Sequence, residues 1–144
     1  MVRMISVYFT LFLAAFAATA PLQASQVGNA QCQTDRKNIV LSLLLTTSAV
    51  GKIDTTDPAT ATAVEAAEAG LQSAAAGIMA IGAALQSGEN APSEDRDQVS
   101  AGLTAARNAL TGINDKSVNA TVTNALNKLD KAIAAGKAVV VDCK

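Results

Sequence analysis

An all-α fold, an alanine-rich four-helix bundle running up-down-up-down with a disulfide joining the chain ends, is what this sequence predicts. Three observations carry that expectation. Apolar residues recur at helical spacing in four segments separated by short connections that contain Gly, Pro and Asp. In the second segment Val64, Leu71, Ile78 and Leu85 keep a strict seven-residue repeat with Ala67, Ala74 and Ile81 between them, the a and d stripe of a helix packed along its length against another. The two cysteines, Cys32 and Cys143, lie near the two ends of the helical region, which an up-down-up-down path brings to the same end of the bundle.

Residues 1–24 read as a secretory signal peptide and residues 25–144 as a single helical domain. Arg3 precedes an apolar run over residues 5–18 that ends in small side chains. That run is too short for a permanent span of the ~30 Å hydrocarbon layer. Cleavage fits after Ala20, Ala24 or Ala30; Pro21 disfavours the first, and Ala24 is preferred. Gln31 precedes Cys32 where a lipoprotein cysteine needs a small residue, and the polar end Asp142-Cys143-Lys144 is unlike a GPI signal.

Every aromatic residue, Tyr8, Phe9, Phe12 and Phe16, falls inside the leader, and the chain has no Trp or His. Without Arg3, ten basic residues face twelve acidic ones with no block of like charge, so nucleic acid and anionic membrane surfaces are not implied partners. Two cysteines in an exported domain imply one disulfide, Cys32–Cys143, in an oxidising compartment; free or intermolecularly paired thiols are the alternative.

The segments follow in order. The first, residues 34–50, places Asp35 in its first turn and Ile39, Val40, Leu43, Leu44, Thr47 and Val50 at helical spacing. Its apolar stripe is the widest of the four, which predicts the most buried helix, and Gly51 offers a left-handed C-terminal cap. Asp57 then caps the second segment with Pro58 at the first helical position. Running to Ser87 before Gly88, this helix outruns its neighbours. Gly70, Gly77 and Gly82 within it mark either close packing or a kink. Ser93 is the expected cap of the third segment, with Val99, Leu103, Ala106, Leu110 and Ile113 inward. Asp115 or Ser117 opens the fourth, where Val118, Val122, Ala125, Leu126, Leu129, Ile133, Gly136 and Val140 face the core and Lys128, Lys131 and Lys137 suit the negative end of the helix dipole.

Ala69-Gly70-Leu71 followed by Ala74, Ile78 and Ile81 matches Ala101-Gly102-Leu103 followed by Ala106, Leu110 and Ile113 at a constant offset. Two Ala-rich helices with the same heptad agree this well without duplication, and that reading is preferred.

The chemistry available is narrow, and an enzyme is the least expected class. Without His or Tyr in the mature chain, nucleophilic triads, haem ligation and ordinary zinc sites lack their ligands, so no catalytic residue, cofactor or metal is expected. Glu65 and Glu68 lack the Glu-x-x-His partners of di-metal bundles and read as a solvated face. Glu94, Asp95 and Asp97 read as helix-start charges ahead of calcium ligands. Asn119-Ala120-Thr121 fits the N-glycosylation pattern, with Asn119 as acceptor. The uncharged stretch of residues 69–85 permits a membrane-active reading, which its weak Ala/Gly hydrophobicity disfavours.

The repeated Ala-x-x-Leu spacing, as in Ala101-Gly102-Leu103 to Leu110 and Asn124-Ala125-Leu126 to Ile133, behind a signal peptide in an aromatic-poor chain, resembles the small secreted fungal proteins of the hydrophobic-surface-binding and cell-wall mannoprotein type. The resemblance covers most of the mature chain at the level of composition and periodicity. It implies adsorption to apolar surfaces or lipids at the cell exterior, without catalysis. The expectation is therefore a secreted or extracytoplasmic, non-enzymatic bundle, monomer or homodimer, that binds a hydrophobic surface, a cell-envelope component or a protein. A small lipid or fatty-acid carrier and an extracytoplasmic effector or immunity-type protein are the alternatives.

Overall fold

The computed structural model describes residues 30–143; the expected leader lies outside them. Four helices follow one another: α1 (Ala30–Val50), α2 (Pro58–Gln86), α3 (Ser93–Thr111) and α4 (Asn119–Asp142), the last entered through a single 3-10 turn, Lys116–Val118. Each runs antiparallel to the next around a square. No strand occurs among the described residues, so the predicted four-helix bundle is the observed one.

The disulfide closes the square. Cys32 on α1 and Cys143 at the end of α4 are joined across a sequence separation of 111 residues, their Cα atoms 5.0 Å apart. A loop of that size removes about 4–5 kcal/mol of chain entropy from the unfolded state in the loop-closure model.

Local chemistry sets most of the helix boundaries. Asp57 caps α2, its carboxylate accepting the Thr60 N–H at 2.7 Å, with Pro58 at the first position. Gly88, at φ 82°, is the one described residue in the left-handed region, and there Glu89 N–H reaches back to the Ala84 carbonyl at 2.9 Å. Gly51 does not adopt that conformation. Instead α1 tightens at its end, Lys52 donating to Ala49 and Ile53 to Val50. Ser93 is not a cap either: Pro92 holds that place with no side-chain bond, and the Ser93 hydroxyl donates to Glu94. Asp115 caps the 3-10 turn through the Ser117 N–H at 2.8 Å.

The core is contiguous and small-residue rich. Its largest fully buried side chains include one leucine from each helix, Leu43, Leu71, Leu110 and Leu129. Most of the α2 heptad packs as predicted: Val64, Ala67, Leu71, Ala74 and Ile78 are buried and Ile81 is partly so, while Leu85, the last member of the expected repeat, lies outside the core cluster. Two stripes are corrected. On α1 the heptad runs through Cys32, Ile39 and Thr46 and continues to Ile53 just past the helix, so Thr46 is buried where Thr47 was expected; Leu41 and Leu45, outside the expected stripe, face solvent. On α4, Ala132 is buried and Val140 is exposed.

The four contacts around the square are unequal. α2 lies closely along α3, and α1 along α4, whereas α3–α4 and α1–α2 touch much less. Glycine explains the first of these. A Cβ built on Gly70 would stand 2.7 Å from the Gly102 carbonyl oxygen and the Ala106 nitrogen; one on Gly102 would stand 2.5 Å from the Gly70 oxygen and 2.6 Å from the Ala74 nitrogen. The contact is reciprocal. Residues equivalent under the internal similarity meet each other about a local two-fold, with backbone against backbone. Gly77 repeats the arrangement one heptad on, against Asp95 and Val99. The glycines of α2 that face α3 therefore serve close packing, and the helix runs unbroken from Pro58 to Gln86.

This gives a test in which two effects oppose. Replacing a mid-helix glycine by alanine gains up to ~1 kcal/mol of helix propensity, but at Gly70 or Gly102 the new methyl meets backbone that cannot rotate away. Overpacking of this kind costs about 1–3 kcal/mol, so Gly70→Ala and Gly102→Ala are each expected to lower the thermal midpoint. Gly112→Ala is the control. Its nearest neighbour would be 3.4 Å away and its φ is −74°, so its melting curve should be unchanged or slightly higher.

Candidate functional site

The two ends of the bundle differ in character. At one end the α1–α2 and α3–α4 connections face each other across a cleft of about 420 Å³ that takes in Asp57, Thr60, Gly112, Ile113, Asn114 and Asp115. Both carboxylates there are already occupied as caps: Asp57 holds Thr60 N–H, and Asp115 accepts from the backbone N–H and the hydroxyl of Ser117. The Thr60 bonds hold the Asp57 carboxyl below the usual carboxylate range. A cleft walled by two carboxylates suits an acyl chain poorly.

The opposite end carries the disulfide, the α2–α3 turn and an apolar overhang. Gly77 packs on the first two turns of α3, so the last turn and more of α2 continues past the start of α3. Ile81 and Leu85 are only partly covered there. Met79 is 51% exposed, and Val140 and Val141, just before Cys143, are 56% and 62% exposed. On the outer face of α1, one turn apart, Leu41 and Leu45 are 54% and 43% exposed. Among the described helices α2 alone is long and apolar enough to cross a membrane.

Beside the disulfide lies a buried carboxylate. Asp35 is not in the first turn of α1, because the helix begins at Ala30, a turn earlier than the sequence suggested. It is 5% exposed; one carboxylate oxygen accepts from the Gln31 amide at 3.1 Å, and the other, buried, has no hydrogen bond. An unsatisfied buried acceptor costs about 1–3 kcal/mol. Asp35→Ala removes it, leaves Gln31 free to meet water and improves helix propensity. Thermal melting should show a higher midpoint for Asp35→Ala; a lower one would mean that the carboxylate is stabilising.

The remaining residues singled out by the sequence do not gather into a site. Asn119 is exposed at the first position of α4. Glu65 is exposed on α2, and Glu68 nearby is pushed above the usual carboxylate range, first by partial burial and then by the Glu65 charge. Glu94 and Asp95 occupy the first turn of α3, with Asp97 exposed just beyond. Among the described residues no three His, Cys, Asp or Glu side chains come together as a metal site. The described residues also contain no aromatic ring and no histidine.

Compared with family models, with curated proteins and with solved structures, the chain matches none.

Proposed function

We propose that this chain is an exported, non-enzymatic helical bundle that adsorbs to apolar surfaces at the cell exterior. The observation that carries the reading is the set of exposed large apolar residues, Leu41, Leu45, Met79, Val140 and Val141. Three of them lie near the disulfide end, beside the uncovered end of α2. The disulfide favours an oxidising compartment outside the cytosol, and the apolar, aromatic-poor composition agrees with the resemblance to hydrophobic-surface-binding proteins.

Magnitudes bear on how adsorption would work. Fully burying a Val, Leu or Met side chain is worth about 1.5–3 kcal/mol. These five are already about half covered, so each offers less. A rigid closed bundle would hold to an apolar surface only modestly. Strong adsorption requires further apolar area, and the core is the place that has it.

Adsorption from dilute solution onto polystyrene beads tests the reading. The protein is expected to deplete from the supernatant. Met79→Lys combined with Val140→Lys and Val141→Lys should weaken that depletion without changing the melting curve, since all three residues are exposed. A wild-type protein that stays in the supernatant as a monomer would contradict the proposal.

A further inference from the structure

We infer that the bundle opens along one seam, between the α1–α4 pair and the α2–α3 pair, and presents its leucine-lined interior to an apolar surface. The inference rests on the surface-adsorption reading and supplies its mechanism. A square of four antiparallel helices can divide into adjacent pairs in two ways. Separating α1–α2 from α3–α4 would require breaking the Cys32–Cys143 disulfide and the backbone contact at Gly70 and Gly102. It would also break the Gln98 side-chain bond to the Ser73 carbonyl.

Separating α1–α4 from α2–α3 breaks none of these. Among the described residues one ion pair crosses that seam, Arg107 to Asp130 at 2.9 Å, and both side chains are about half exposed, where such pairs contribute little. The rest of the seam is apolar packing, to which Leu43 and Leu129 contribute from one side and Leu71, Leu103 and Leu110 from the other.

Connectivity makes this seam a hinge. Each pair is fastened at the disulfide end, one by Cys32–Cys143 and the other by the turn over residues 87–92. The two pairs are joined to each other only at the opposite end, through residues 51–57 and 112–118. The cleft of about 420 Å³ lies there, between the start of α2 and the α3–α4 connection. Opening at the disulfide end thus breaks no covalent bond and no hydrogen bond within a helix. In water the exposed leucines oppose it; against an apolar surface they favour it.

Paired spin labels read the motion directly on the full chain with its disulfide intact. Asn90 and Lys137 are exposed, near the disulfide end, on opposite sides of the seam; Asn38 and Lys137 are exposed within one pair. On adsorption to polystyrene nanospheres, labels at Asn90→Cys and Lys137→Cys should separate by on the order of 20 Å, given helices that rise 1.5 Å per residue. Labels at Asn38→Cys and Lys137→Cys should keep their distance. Adsorption with the cross-seam distance unchanged would overturn the hinge and leave the adsorption reading standing. Lengthening of both distances would replace the hinge with general unfolding, and a failure to adsorb would remove both proposals.

Discussion

Two helices whose backbones touch set the geometry of this bundle. At Gly70 and Gly102 neither helix has a side chain to hold the other away, and each glycine occupies the space that the other's Cβ would need. Ala74 and Ala106 extend the same contact. With α2 and α3 at this separation, their larger residues, Leu71, Leu103 and Leu110, share one core cluster with side chains of α1 and α4. A core without aromatic rings, of which the described residues have none, fits that separation. Helices this close leave little interior volume, and Ala, Val and Leu fill it.

The second pair is held differently. α1 and α4 carry the disulfide at one end, and a Cβ added at Gly136 would stand 3.2 Å from the end of the Ile39 side chain, which can move, rather than against backbone. One pair is thus joined by backbone apposition and the other by a covalent bond, with an apolar seam between them. That division gives the proposed function its physical form: the strong contacts hold each pair, and the seam between pairs is the part that an apolar surface can replace.

Much of this was legible in the sequence. The heptad of Val64, Leu71 and Ile78, the Asp57-Pro58 start and Gly88 as a stop rest on local rules that tertiary structure had no reason to override, and the pairing of Cys32 with Cys143 follows from the up-down-up-down path. What local rules could not supply was relative position. Thr46 is buried, where Thr47 was expected, because the α1 stripe starts at Cys32, about two turns before Ile39, the first apolar residue that periodicity detects. Asp35 reads as a helix-start charge until that earlier start places it inside. The Gly70 and Gly102 match is visible as a repeat, but spacing alone does not say that the two copies touch. Val140 continues the apolar run of α4 while facing solvent, so the exposed apolar end near the disulfide was hidden within a pattern that looks like core.

The central claim is the backbone contact between α2 and α3, and solution NMR tests it most directly. Nuclear Overhauser cross-peaks are expected to join the α-protons of Gly70 to those of Gly102, with reciprocal ones from Gly70 to the Ala106 amide and from Gly102 to the Ala74 amide. Their absence in a protein whose helices and disulfide are intact would contradict it.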